Sequence, residues 1–174
     1  MMSAANYSAA DMLRNGRRIE IRALKTDDRV DLLGAVERTS AQSLYRRFFG
    51  AKRHFSEKEI EFFVNVNYVS HVALVATIEE GNRIVIVGGG RYVVVQPETA
   101  EVAFAVVDQY QRQGIGGALL RHLAAIARSA GLKELIAEVL PDNIAMLKVF
   151  EKSGLGCRTR REGRTVHVTL HVAD

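Results

Sequence analysis

The sequence predicts a mixed α/β (α+β) domain, with a central sheet of about six to seven strands and helices on its faces. Three observations carry this expectation. Residues 71–95 read as two apolar strands joined at Glu80-Gly81-Asn82, residues 100–140 as strand, glycine-rich loop, helix and strand, and residues 158–172 as a hairpin around Glu162-Gly163. The middle unit is a β-loop-α-β crossover, which sets two strands parallel within a sheet otherwise built from hairpins.

Residues 1–12, rich in Ala and Ser, show no sustained period and are expected to form a flexible N-terminal arm, with residues 13–174 as one domain. The alternation of Ile19, Ile21 and Ala23 predicts a strand over Arg17 to Ala23, and the spacing of Val30, Leu33 and Val36 predicts a helix after Thr26. Ser40 is expected to open a short helix carrying Leu44, Phe48 and Phe49. Ser56-x-x-Glu59 is a capping box, so a further helix should run over residues 57–65. Strands follow at His71 to Ile78 and Arg83 to Val95, the second bent or bulged by Gly88-Gly89-Gly90. Beyond the Gln96 to Thr99 loop come a strand over 100–107, a helix over 114–130 ended by Gly131, and a strand from Lys133 to Leu140. Pro141-Asp142 starts a last helix, which stops near Gly154.

The run Gln111-Arg112-Gln113-Gly114-Ile115-Gly116-Gly117 lies between strand and helix, where unpaired backbone N–H groups and the positive helix end converge. Such a point suits a phosphate, and glycines let it approach closely. A P-loop would need Lys and Ser or Thr after the last glycine, where Ala118 and Leu119 stand, so nucleotide hydrolysis is not indicated. A dinucleotide fingerprint would need a small residue at Leu119, and too few strands follow for a doubly wound sheet.

The remaining pattern, Gln/Arg-x-x-Gly-x-Gly/Ala at Gln111, Gly114 and Gly116, resembles the acyl-coenzyme A pyrophosphate loop of the GNAT N-acetyltransferase superfamily. Ala100 to Val107 before it and Glu138 to Leu155 after it are similar to GNAT segments in order and spacing. Leu13 to Arg22, Ser43 to Gly50 and Phe55 to Ile60 are similar to the acetyltransferase domain of bacterial Pat-type protein lysine acetyltransferases. The resemblance implies a mostly antiparallel GNAT sheet, acetyl-coenzyme A as co-substrate and a protein lysine as favoured acceptor, with acyl-coenzyme A synthetases the first substrates to try. It further implies that Val106 and Val107 contact coenzyme A through their amides, that Gln111, Arg112, Gln113, Gly114, Ile115, Gly116 and Gly117 hold the pyrophosphate, and that Asn143 binds the cofactor arm.

Acetyl transfer to lysine must overcome the ammonium's pKa of about 10.4, which leaves the amine neutral about once in 2,500 at pH 7, a penalty of roughly 4.6 kcal/mol. A placed carboxylate can supply much of that. Glu101 interrupts an apolar strand and shares a face with Ala103, Ala105 and Val107; its position resembles the GNAT strand glutamate that acts as general base, and its competing reading is a strand-end residue facing water. Glu138 is a second carboxylate candidate, and a water chain is a third route. Asn143 equally reads as a helix cap, and Arg112 as a surface residue. Phe150 stands where many GNAT enzymes carry an acidic tyrosine, so it is expected to pack against cofactor or core; a thiol of pKa about 8.5 leaves without that acid.

The chain has 174 residues, 48% hydrophobic and 25% charged, with a formal net charge of +4. No run approaches a membrane span and no secretory signal opens the chain, which predicts a cytoplasmic location without a membrane partner. Arg46, Arg47, Lys52, Arg53 and His54 form a basic cluster, read as solvated surface or as contact with an acidic protein or coenzyme A phosphate rather than nucleic acid. The lone Cys157 makes no disulfide and reads as a small buried hydrophobe, His71 reads as a surface histidine, and His167 with His171 lacks a third ligand in sequence, so no metal site is expected. A homodimer is compatible with this reading. The alternatives are a small-molecule amine acetyltransferase and a non-catalytic acyl-coenzyme A sensor. No stretch reads as a cyclic-nucleotide module or a synthetase-like domain.

Overall fold

The computed structural model describes residues 4–37 and 56–173. Eight strands form one sheet: β1 (Ser8–Met12), β2 (Arg18–Ala23), β3 (His71–Glu80), β4 (Arg83–Gln96), β5 (Thr99–Val106), β6 (Glu134–Val139), β7 (Gly156–Glu162) and β8 (Thr165–His171), in the order β1-β2-β3-β4-β5-β6-β8-β7. Among the described residues the α-helices are α1 (Arg29–Glu37), α2 (Glu57–Val64), α3 (Ile115–Ser129) and α4 (Ile144–Glu151). Every strand pair is antiparallel except β5 with β6. The expected helix from Ser40 and the basic cluster at 46–54 lie outside the described residues.

The strand beyond the expected count is β1, which occupies the stretch expected to be a flexible arm. Its residues pair with β2 from Ser8↔Arg22 to Met12↔Arg18. Ser-Ala-Ala-Asp-Met carries no apolar alternation because β1 is an edge strand whose side chains reach no deep core, and its backbone pairing leaves no trace in hydropathy.

The core lies between the sheet and α3. Ile115, Leu119, Leu120 and Leu123 are fully buried and recur at helical spacing, and α3 packs on β3, β4 and β5. Gly90 lets that packing happen: a Cβ there would stand 2.7 Å from the Phe104 ring. The expected bulge falls beside these glycines, where the register passes from Ala76↔Gly88 to Thr77↔Ile86 and leaves Val87 unpaired with any β3 residue. On the opposite face α2 covers β4 and β5. Its start is the expected capping box, Glu59 N–H donating to Ser56 Oγ at 3.2 Å and Ser56 N–H to Glu59 Oε1 at 3.1 Å. In α1 the apolar spacing misleads at Val30, which is exposed, while Ala35 is buried.

The start of α1 is tied to β2 by a bidentate ion pair. Arg22 Nη1 and Nη2 lie 2.8 and 2.9 Å from Asp28 Oδ2 and Oδ1. Burial pushes the Asp28 carboxyl up, but the Arg22 guanidinium and the Lys25 N–H together hold it below the usual range.

Candidate active site

β5 and β6 pair over three residues only, Thr99↔Glu134, Ala100↔Leu135 and Glu101↔Ile136, and then part. β5 continues to Val106 against β4, while β6 continues to Val139 against β8. A wedge therefore opens beyond Glu101. In the antiparallel ladder the main-chain groups of alternate residues point to opposite edges. Val107 N–H donates to Val87 O at 2.9 Å, which fixes the odd residues of this segment toward β4 and turns the main-chain groups of Val102, Phe104 and Val106 toward the wedge.

This corrects one expectation. The Val107 amide is spent on Val87, its carbonyl accepts from Tyr110 N–H at 2.9 Å, and the residue is 2% exposed, so it offers a ligand nothing. Val106 keeps its N–H on the open edge, and its carbonyl accepts from Gln111 Nε2 at 3.1 Å.

The glycine loop follows a short 3-10 turn, Asp108–Tyr110. Gly114 has φ +97° and is the N-cap of α3, with no side chain capping the helix. Ala118 N–H makes the first intrahelical bond, to Gly114 O at 3.0 Å, so the amides of Ile115, Gly116 and Gly117 have no helical acceptor. The Ile115 side chain is buried, leaving its backbone as its only contribution to the loop's surface. Arg112 is exposed with φ +66°. Gln113 Oε1 is buried with no hydrogen-bond partner among the described residues. Three open amides, the positive end of a 15-residue helix and flanking arginines suit a doubly charged diphosphate.

Two further candidates take structural positions. Asn143 caps α4, its Oδ1 accepting from Met146 N–H at 3.2 Å, so the cap reading holds while its amide nitrogen stays available. Of the two expected places for Phe150, cofactor or core, the ring takes the core: it is 1% exposed, with its centroid 6.0 Å from that of Phe104.

Glu101 is exposed, and its carboxylate makes no hydrogen bond or ion pair among the described residues. It lines a cleft of about 530 Å³ with Ala103 from β5, Arg91, Val93 and Val95 from β4, and Lys58, Glu59, Phe62 and Phe63 from α2. The floor of that cleft is organised by a group that sequence reasoning misplaced. His71 is 6% exposed rather than on the surface. Its ring stacks on Phe62 with centroids 4.7 Å apart, and Arg91 Nη1 reaches both His71 Nε2 at 2.9 Å and Phe63 O at 3.2 Å. The Arg91 guanidinium also lies 4.8 Å from the Phe63 ring centroid. Burial and the Arg91 charge push His71 down to about 4, so its imidazole is neutral at physiological pH.

Glu138 lies on β6 two residues beyond the last β5 partner, and it is engaged. His167 Nδ1 stands 2.6 Å from Glu138 Oε1, and Thr165 Oγ1 donates to Oε2 at 2.6 Å. Burial raises the Glu138 carboxyl, but these two hydrogen bonds outweigh it and hold the group below its ordinary value. Glu162 joins them, with one ligand atom from each of Glu138, Glu162 and His167 lying within 4.8 Å of the others. The two carboxylates beside His167 thus come from another strand, β6, and from the hairpin tip, which no spacing in the sequence could announce; His171 is not part of the group. Cys157 is half-buried, and burial together with the Glu151 charge raises its thiol, which suits an inert residue.

The profile of the acetyltransferase (GNAT) family matches residues 38–155, a stretch that contains the wedge, the loop and both carboxylates. This chain belongs to the GNAT acetyltransferase family. The family is one of acetyltransferases, and acyl transfer is its class of reaction. It is 36% identical over 132 residues to the acetyltransferase Pat of Mycolicibacterium smegmatis, covering 71% of this chain and 39% of that protein. The fold is similar to the crystal structure of the GNAT domain of S. lividans PAT, with a TM-score of 0.85 and 32% identity over 94% of this chain and 96% of that one. It is also similar to a cAMP-binding acyltransferase from Mycobacterium smegmatis, with a TM-score of 0.65 and 30% identity over 97% of this chain and 48% of that one. The GNAT chain thus corresponds to less than half the length of these two mycobacterial proteins. Among the described residues no helix is long and apolar enough to cross a membrane.

Proposed function

We propose that this GNAT acetyltransferase passes the acetyl group directly to the side-chain amine of a protein lysine, with Glu101 as the general base. The observation that carries this is the position of Glu101: an open carboxylate at the residue where β5 and β6 part, inside a cleft walled by α2 and β4. Phe62, Phe63, Val93, Val95 and Ala103 give that cleft an apolar lining suited to a lysine's methylene stem, and the same lining disfavours the ammonium relative to the free amine.

Acetyl-coenzyme A supplies an activated thioester whose thiol leaves easily. The chain's own groups do the rest. Amides of Ile115, Gly116 and Gly117 at the uncapped start of α3 anchor the diphosphate, and the wedge-facing Val106 N–H is free to hold the pantetheine arm. Glu101 takes one proton from the incoming ammonium, the freed amine attacks the thioester carbonyl, and as the carbon–sulfur bond breaks coenzyme A leaves as a thiolate that receives the second nitrogen proton, through water or directly. Burial and the Glu151 charge raise the Cys157 thiol and keep it from acting as an acetyl-accepting nucleophile, which supports direct transfer without a covalent enzyme intermediate. The likeness to a protein named acetyltransferase Pat favours a protein acceptor over a small amine, and acyl-coenzyme A synthetases remain the first acceptors to test.

The test is incubation of the purified protein with acetyl-coenzyme A and a panel of synthetases, lysate proteins, polyamines and amino acids, with thiol release and mass spectrometry as readouts. Acetyl-lysine on a protein is expected. Acetylation of small amines alone would remove the protein acceptor, and coenzyme A binding without any thiol release would mark a sensor.

A further inference from the structure

We propose that Arg14, on the turn between β1 and β2, is a phosphate ligand of coenzyme A, so that the N-terminal strand supplies one wall of the cofactor site. The inference rests on the reading of the glycine loop as the diphosphate site and adds a residue far from it in sequence.

The turn and the loop touch. Arg14 N–H donates to Gln113 O at 3.2 Å, and a Cβ placed on Gly114 would lie 3.7 Å from both Cγ and Nε of Arg14. The side chain therefore runs beside the N-cap of α3, next to the first open amides. Arg14 is exposed and makes no ion pair among the described residues, so its charge is not already spent.

The turn is also held in place, which an adventitious surface arginine would not need. Leu13 is buried, and its N–H donates to Arg17 O at 2.8 Å, with Gly16 N–H donating to Leu13 O at 2.9 Å. One residue before the turn's entry β1 is bolted to α3: Asp11 Oδ2 lies 2.9 Å from His122 Nε2 and 3.0 Å from Arg121 Nη2, while His122 Nδ1 meets Tyr7 OH at 2.5 Å. Asp11 is the acidic group nearest the turn in this network, and Arg121 and His122 occupy it. What remains uncommitted beside the loop is the positive charge of Arg14, joined by exposed Arg112. Coenzyme A offers two phosphate sources for that charge, the diphosphate and the 3′-phosphate, and a planar guanidinium can grip either bidentately.

The test is isothermal titration of coenzyme A and 3′-dephospho-coenzyme A into the wild type, R14Q and R14K at low and high salt, alongside unfolding midpoints without ligand. For R14Q the affinity for coenzyme A is expected to fall about tenfold, with a shallower salt dependence and an unchanged midpoint, and R14K should recover part of the loss. A matching loss with the dephospho ligand assigns the contact to the diphosphate, and its disappearance assigns it to the 3′-phosphate. With acetyl-pantetheine, which carries no phosphate at the loop, R14Q should keep the wild-type kcat/KM. Unchanged coenzyme A affinity in R14Q overturns the inference, as does a lowered midpoint with equal loss for the phosphate-free substrate, which would make Arg14 a turn-stabilising residue. Failure of the wild type to bind coenzyme A would refute the loop reading itself.

Discussion

Arg91 donates to the Nε2 of a buried His71, 2.9 Å away, so the imidazole beneath the acceptor cleft must stay neutral to keep its partner. Its folded pKa is down at about 4 while the unfolded chain's lies near 6.5. Between these values the unfolded state binds the extra proton, so this site's contribution to stability is fully present above pH 6.5 and is lost as pH falls toward 4. The loss should be on the order of 2 kcal/mol. Urea denaturation at pH 7 and pH 5 measures it. H71Q retains an acceptor for Arg91 and should flatten that part of the profile; a wild-type profile that is already flat there would contradict the buried neutral histidine.

Replacing the carboxylate at the wedge should separate binding from chemistry. E101Q is expected to bind coenzyme A as the wild type does and to lose about 10²–10⁴-fold in turnover at neutral pH. Raising the pH supplies free amine without a base, so the defect should shrink toward pH 10. Steady-state rates from pH 6 to 10 decide it. Unaltered turnover at pH 7 would exclude Glu101 from proton transfer.

What the sequence disclosed depended on how local the cause was. The α2 capping box needs only Ser56 and Glu59, and the loop and α3 need only the order of glycines and apolar residues from Gln111 to Ser129, so both were readable. β1 was not, because an edge strand's stability lies in backbone pairing with β2 rather than in side-chain pattern. His71 and Val107 differ from their expected roles for one reason, and the choice between cofactor and core for Phe150 was open for the same one: each is defined by a partner at Arg91, Val87 or Phe104 that only the folded sheet brings close. The Glu138–His167 pair and the approach of Arg14 to Gly114 are likewise products of topology.

Gly90 should be intolerant of even one methyl group. The added Cβ would fall 2.7 Å from Phe104 Cδ1 and 3.1 Å from Leu123 Cδ1, and Phe104 is itself backed by Phe150. The ring has no room to yield, so G90A is expected to cost about 1–3 kcal/mol. The midpoint of urea unfolding checks this, and an unchanged midpoint would mean that the β4 backbone can shift away from α3.

Glu138 provides the control for the choice of base. A catalytic base at pH 7 gains from a raised pKa, yet the His167 and Thr165 hydrogen bonds hold this carboxyl low and occupy both of its oxygens. Its depressed pKa means that it stabilises the fold above its unfolded value and loses that contribution as pH falls through the folded one. E138Q keeps the shape and an acceptor oxygen but gives up the charge, so it should cost about 1 kcal/mol of stability at pH 7, and less at a pH low enough to protonate the wild-type carboxyl. Turnover at pH 7 should stay within a few-fold of wild type. If instead E138Q loses turnover as E101Q does while remaining folded by circular dichroism, the proton leaves through the β6–β8 pair, and Glu101 must be reassigned to holding the acceptor.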